Sequence, residues 1–310
     1  MRVLLVRLDG VGDAAVCAPL IAALRAAGHD VGAALTTRNA GLFAPRVLAA
    51  EHVLERIPWP RHGSTRESTT RARREIAAMR YDIALIASEE PEAYTLAAPI
   101  PKRVGFTTGW NRPLKSLWLR CKTTRRVPRV QRIGGEACHE VEIVYRLGDG
   151  LVDDPPPADP AVLRSLLVGE RPVPHRVGIA LQGGGKWRAG GVGDETLRAI
   201  AHRVARHGVT VLAGPGEREQ TEAVLGAPVL AFDALPSWVA ALDAVAAVVT
   251  VDSGAAHVAG MLGVPVVDVF PDAHFTAQVA RWRPWAAPYR ALRASDAGSL
   301  AVVAAETLLQ

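Results

Sequence analysis

The 310-residue sequence predicts an α/β protein in two halves, each an open, mostly parallel sheet with helices between its strands. Three observations carry that expectation. Short apolar runs alternate with stretches of helical apolar spacing, the alternation breaks once near the middle, and it then restarts. The break ends in Gly148 to Pro160, which contains Asp153-Asp-Pro-Pro-Pro157 and reads as a linker. The halves are therefore expected at 1–150 and 158–310, facing each other across a cleft. The last helix is free to pack back on the first half.

In the first half, Arg2 to Leu8 is an apolar run closed by Asp9-Gly10 and reads as a buried parallel strand. Ala14 to Ala27 has helical spacing (Val16, Leu20, Ala23, Leu24) and stops at Gly28. Val31 to Thr36 and His52 to Ile57 read as strands, Glu67 to Arg80 as a helix, Tyr81 to Ala87 and Arg103 to Phe106 as strands. Lys102 to Gly135 follows no period, and Glu136 to Leu147 is helical again.

In the second half, strands are expected at Arg176 to Leu181, Val209 to Ala213, Val229 to Phe232, Ala247 to Val251 and Val264 to Phe270. Helices are expected at Asp194 to Arg206, Glu217 to Leu225, Ser237 to Ala244, Gly254 to Leu262 and Asp296 to Leu309. A glycine-rich loop, Gln182 to Gly193, follows the first of these strands. Ligands of such sheets sit outside the carboxyl ends of the strands, so those loops are where chemistry is sought.

Composition narrows the class. A hydrophobic fraction of 49% and a mean hydropathy of +0.13 exclude a mainly disordered chain. No run approaches the ~18 apolar residues of a membrane span, and the N-terminal apolar run is too short for a signal peptide, so a soluble, cytoplasmic protein is expected. Cys17, Cys121 and Cys138 have no paired spacing, which argues against a disulfide framework or zinc knuckle. The formal charge of +5 favours an anionic ligand or surface. Lys102, Arg103, Arg112, Lys115, Arg120, Lys122, Arg125, Arg126, Arg129 and Arg132 fall in one stretch without an Asp or Glu. That stretch lacks the regular aromatic interleaving of a nucleic-acid platform, and no nucleic-acid partner is expected.

Four constellations could carry chemistry. Arg7-Leu-Asp-Gly-Val-Gly-Asp13 opens the first helix, where Asp13 fits either a helix-start cap or a general base. It is not a dinucleotide fingerprint, because Gly10-Val-Gly12 is followed by Asp13-Ala14-Ala15 and no acid ends the second strand. Asp252-Ser-Gly-Ala-Ala-His257 lies at another strand-to-helix junction, where free N–H groups and the helix dipole favour phosphate. Gln182-Gly-Gly-Gly-Lys-Trp187 has the glycines and lysine of a phosphate cradle without being a Walker motif. Gly214-Pro-Gly-Glu-Arg-Glu-Gln220 places Glu217 and Glu219 at a helix start, where carboxylates are favoured in any case.

In order along the chain, Gly12-Asp13, His139-Glu140, the Lys186 loop, the Gly214 to Glu219 turn, and Asp252 to His257 with Gly263-Val-Pro265 resemble glycosyltransferase family 9. This is the heptosyltransferase family, whose GT-B fold has two Rossmann-like domains. The resemblance implies an inverting enzyme that moves a sugar, most typically heptose from ADP-heptose, to a hydroxyl without a metal or other cofactor. It implies Asp13 as the base and Lys186 on the donor diphosphate. Asp252, Ser253, Gly254, Ala255 and His257 would surround the phosphates, and Glu219 would hold the ribose, with Glu217 as the fallback. Gly12, Arg112, Lys115 and Arg120 would face a glycan, lipopolysaccharide-core or secondary-metabolite acceptor, for which an anionic molecule fits. Membrane contact would be peripheral at most. A nucleotide-sugar 2-epimerase of the same fold and a non-catalytic sugar-nucleotide-binding protein are the alternatives.

Overall fold

The computed structural model describes all residues except 58–62, 108–112, 130–131, 134–135, 185 and 208–210. The chain divides into two compact units, Met1–Pro157 and Ala158–Gln310.

The first unit runs β1 (Arg2–Val6), α1 (Val11–Ala15), α2 (Ala18–Ala26), β2 (Asp30–Thr36), β3 (Ala50–Leu54), α3 (Arg66–Met79), β4 (Ile83–Ile86), α4 (Pro91–Leu96), β5 (Lys102–Thr107), α5 (Pro113–Lys122) and β6 (Arg125–Pro128). A short hairpin of β7 (Arg132–Ile133) and β8 (Glu136–Ala137) leads to α6 (Glu140–Tyr145). Six parallel strands form one sheet in the order β3-β2-β1-β4-β5-β6. The central strands β1 and β4 are buried almost throughout, as apolar runs covered on both faces must be.

Three expectations change here. The first helix is two, because Pro19 has no N–H to continue the ladder from Ala15, and α2 then ends at Gly28, whose φ of 75° suits glycine. The helix expected from Glu136 starts at Glu140 instead. His139 caps it by accepting the Val141 N–H at 3.1 Å, and Glu142 returns to the His139 N–H at 2.8 Å. The stretch from Lys102 to Gly135, read as patternless, contains α5 and the edge strand β6. Only Leu119 and Val127 among their described side chains are deeply buried, too few to show a period.

The second unit runs α7 (Pro160–Val168), β9 (Ile179–Leu181), α8 (Lys186–Ala189), α9 (Asp194–Val204), β10 (Leu212–Ala213), α10 (Arg218–Leu225), β11 (Leu230–Ala231), α11 (Leu235–Asp243), β12 (Ala247–Val251), α12 (Gly254–Met261), β13 (Val266–Phe270), α13 (Phe275–Trp282), β14 (Tyr289–Arg293) and α14 (Ala297–Leu308). Helices α7 and α13 and strand β14 were not foreseen. Parallel strands β14-β13-β12-β9 make one sheet, β10 pairs with β11, and a bridge from Gln182 to Leu212 joins the two.

One face of this sheet is covered by α9 and α14, with Val249, Val251, Val267 and Val269 meeting Leu197, Ile200, Ala301 and Ala305. The terminal helix is thus anchored on its own unit, since its small buried residues let it lie close to the strands. Below the opposite face, Asp243 at the end of α11 is held by Arg164 of α7 at 2.6 Å and by Arg176 at 2.9 Å. A carboxylate buried this deeply is tolerable only with such partners.

Asp268, in the middle of β13, has none. Both carboxyl oxygens are buried without a hydrogen-bond partner, and burial, reinforced by the charge of Asp252, raises its pKa well above the ordinary carboxylate value. An acid raised on folding loses stability as pH climbs from its unfolded pKa towards its folded one, at about 1.4 kcal/mol per unit. Asp268→Asn should therefore raise Tm relative to the parent, by more at pH 8 than at pH 5, in parallel thermal melts.

Candidate active site

In the first unit the polar residues gather at the carboxyl ends of β1 and β4. Arg7 follows β1 and is 4% exposed. Its guanidinium donates to the Ala87 carbonyl beyond β4, pairs with Asp13 at 2.5 Å, and faces Asp9 at 3.2 Å. Burial opposes the Arg7 charge, but Cys17, Asp13, Asp9 and Glu140 outweigh it and hold its pKa above the ordinary value. Burial likewise raises the Asp9 carboxyl, against the pull of Arg7.

Asp13 does both things open to it in sequence. It is the third residue of α1 and closes back on the Gly10 N–H at 3.2 Å, which satisfies a helix-start donor. Arg7 and the Gly10 N–H anchor its two carboxylate oxygens, and the side chain remains 33% exposed. Gly12 lies buried in the same turn. Glu140 is fully buried and pairs with Arg129 at 2.8 Å, while Arg129 also meets Glu89. The acidic and basic groups here interlock, and Arg7, which sequence reasoning quoted without giving it a role, is their centre. Its signal was a lone charge ending an apolar strand.

In the second unit the sequence motifs converge. Strands β9 and β12 are neighbours in parallel register, with Leu181 opposite Val249, so the loops after Leu181 and Val251 leave the same sheet edge. From the first loop come Gln182, Gly183 and Gly184, with Lys186 exposed at the start of α8. From the second come Asp252 and Ser253, then α12 with Gly254, Ala255 and His257 buried in its first turn.

Ser253 caps α12 with its backbone extended and makes no side-chain capping bond. Its hydroxyl goes to Thr250 at 3.1 Å, leaving the helix start to a ligand or solvent. His257, 5% exposed, has Nε2 at 3.7 Å from Asp252 and its ring against Trp282.

The glutamates separate clearly. Glu219 is exposed on α10. Glu217 turns inward, where its carboxylate accepts from the Gly214 N–H at 3.1 Å and from Gln182 Nε2 at 3.3 Å. Burial raises its pKa, against the Gly214 N–H, Lys186 and Gln182. Gln182 is itself fixed by Trp238 Nε1, which donates to its side chain at 2.9 Å, and Trp187 Nε1, which donates to its carbonyl at 2.7 Å. Gly184 must be glycine: its φ is 128°, and a Cβ would fall 2.7 Å from the Glu217 carboxylate. Gln182 and Trp238 escaped the sequence reading because amide and indole carry no motif by themselves.

Arg112 and the side chain of Lys115 lie outside the described residues, and Arg120 is exposed on α5. Among the described residues no three His, Cys, Asp or Glu side chains are gathered as a metal site would need. None of the described helices is long and apolar enough to cross a membrane.

The sequence model of glycosyltransferase family 9 (heptosyltransferase) matches residues 195–309, which include Glu217, Glu219 and the whole Asp252 to His257 segment. Solved heptosyltransferases share the fold of the entire chain. The Escherichia coli heptosyltransferase WaaC with ADP is 17% identical with a TM-score of 0.71, covering 100% of this chain and 99% of that one. E. coli ADP-heptose LPS heptosyltransferase II is 15% identical with a TM-score of 0.70, over 100% and 98%. A family 9 glycosyltransferase from Veillonella parvula is 17% identical with a TM-score of 0.71, over 99% and 97%. No curated protein matches by sequence. The family 9 match covers part of the second unit, and the whole chain shares the fold of these solved heptosyltransferases.

Arg7 holds the first cluster together electrostatically. Arg7→Met leaves Asp9 and Asp13 without the cation between them and should cost about 3–5 kcal/mol of stability at pH 7. Urea unfolding should show a smaller loss at acid pH than at pH 7, because burial raises the Asp9 carboxyl and favours its neutral form.

Proposed function

We propose that this protein is a glycosyltransferase that moves heptose from ADP-heptose to a hydroxyl of a glycan, lipopolysaccharide-core or secondary-metabolite acceptor, with inversion and without a metal. The observation that carries the reading is the convergence of Lys186, Glu217 and the open start of α12 at one sheet edge, in the unit that matches family 9. WaaC has been solved with ADP and with ADP-2-deoxy-2-fluoro heptose, which supports an adenosine diphosphate donor.

The chemistry is a single displacement. The acceptor hydroxyl attacks the anomeric carbon and its proton passes to Asp13, while the bond from that carbon to the diphosphate oxygen breaks. Asp13 suits the role because Arg7 and the Gly10 N–H hold its carboxylate in place while 33% of the side chain stays exposed. Gly12, without a side chain, would let acceptor approach the same turn.

Negative charge grows on the departing ADP. Lys186 and the N–H groups of Gly254 and Ala255 would receive it, with Ser253 and His257 beside them and Asp252 orienting His257. These donors and the helix dipole would do what a metal does elsewhere. Glu217 takes precedence over Glu219 for the ribose hydroxyls, because it is the glutamate held at the sheet edge beside Gln182. An anionic acceptor would fit the basic residues from Lys102 to Arg132, with Arg112, Lys115 and Arg120 the candidates for its charge.

Asp13→Asn should lower kcat by about 10²–10⁴-fold while leaving ADP affinity within about twofold, read by transfer assay and calorimetry. Near-normal turnover would remove Asp13 as base, and an isomerised donor formed without acceptor would point to an epimerase. In thermal shift, ADP at 100 times its Kd should stabilise the protein by about 2.7 kcal/mol, ahead of UDP and GDP at equal concentration. Glu217→Gln should weaken ADP about tenfold, and Glu219→Gln should not.

A further inference from the structure

Gln182 is a neutral side chain sealed among charged ones. It follows β9 at the sheet edge and is 4% exposed, and both indoles that reach it, Trp187 and Trp238, are buried as deeply. Its backbone is fixed from two sides, since its carbonyl accepts from Trp187 Nε1 and its N–H goes to the Val249 carbonyl at 2.9 Å. The side chain is fixed separately. An indole N–H can only donate, so the amide oxygen must face Trp238 and the amide nitrogen must face away from it. That nitrogen donates to the Gly183 carbonyl at 3.0 Å and to Glu217 Oε2 at 3.3 Å. Trp238 thereby decides that Glu217 meets a donor and not a second acceptor.

The two oxygens of Glu217 have different surroundings. Oε2 takes both the Gln182 amide and the Gly214 N–H, whereas Oε1 accepts no hydrogen bond from the described residues. The glutamate is half-buried and lies against Gly184, where a Cβ would stand 2.7 Å from Oε1. Burial drives this carboxyl towards its neutral form, and the Gly214 N–H, Lys186 and the Gln182 amide oppose that. A carboxylate pinned through one oxygen offers the other to an O–H donor in a set direction. With the Gln182 amide reversed, two acceptors would face each other and the carboxylate would lose its aim.

We propose that Trp238 and Gln182 are positioning residues that act through Glu217 and make the donor site select a ribonucleotide over a deoxyribonucleotide. The inference rests on the reading of Glu217 as the holder of the ribose hydroxyls, and adds how that glutamate is aimed and what it rejects. A nucleotide without those hydroxyls leaves a half-buried carboxylate oxygen without a donor, which is how a polar site discriminates most sharply. Neither the indole nor the amide has to touch the nucleotide, because the orientation passes along two hydrogen bonds.

The test is calorimetric titration of the full-length protein with ADP and with 2′,3′-dideoxy-ADP, which lacks both hydroxyls. The parent should bind ADP roughly tenfold tighter than the dideoxy analogue, and Glu217→Gln should bring the two within about twofold. Gln182→Leu keeps the bulk and loses the amide, and Trp238→Phe keeps a ring and loses the N–H. Each should weaken ADP about fivefold and leave the dideoxy analogue within about twofold of the parent. Adding Glu217→Gln to either should weaken ADP no further than Glu217→Gln does alone, as expected of residues that act through one another. A loss shared equally by both nucleotides shows that only packing was disturbed and overturns the proposal, and so does an unchanged ratio. Where Gln182→Leu lowers Tm, the smaller change Trp238→Phe decides. If Glu217→Gln abolishes the discrimination while Gln182→Leu and Trp238→Phe retain it, the relay alone falls. If the parent does not discriminate, the ribose reading of Glu217 falls and takes the relay with it.

Discussion

The parallel pairing of β9 with β12 is the constraint on which the donor-side reading rests. Backbone groups in a buried sheet must find partners, and a slip of one residue would turn every side chain to the other face. With Leu181 held opposite Val249, the glycine-rich loop and the Asp252 turn have one direction in which to leave, side by side. Two motifs about seventy residues apart in sequence thereby share one edge. The same register puts Gln182 where Trp238 and Glu217 reach it.

The two units solve the problem of buried charge differently. In the first, Arg7 answers several carboxylates at once and Asp13 stays partly open to solvent. Its carboxylate is thus held in place by Arg7 and the Gly10 N–H without being fully buried. In the second, the sheet edge gathers an exposed lysine, the inward Glu217, Asp252 beside His257 and the dipole of α12. Asp243 is fully paired beneath the sheet, whereas Asp268 is carried unpaired inside it, and its raised pKa shows the fold favouring the neutral acid.

Much of this was legible in the residues. Apolar runs such as Val3 to Val6 and Ala247 to Val251 can be covered only as buried parallel strands, and glycine with Asp or Ser at their ends marks the turns. Amphipathic period was a poorer guide where few side chains are buried: α5, β6 and β14 escaped for that reason, and α7 and α13 were passed over as well. Pro19 and His139 shifted helix starts through hydrogen bonding that no apolar pattern reports.

By itself the sequence determined the strand-to-helix turns, because they need glycine's backbone freedom and a polar residue at the helix start, both local requirements. It also set the basic stretch around α5, since charge is read directly from residue type. Only the tertiary structure tells Glu217 and Glu219 apart by their surroundings. They stand two residues apart on one helix start with identical chemistry, and what separates them is which one the sheet edge, Gly214 and Gln182 enclose. Tertiary structure alone likewise made Arg7 the holder of Asp13 and set the Gln182 amide between Trp238 and Glu217, because burial and pairing are properties of neighbours distant in sequence.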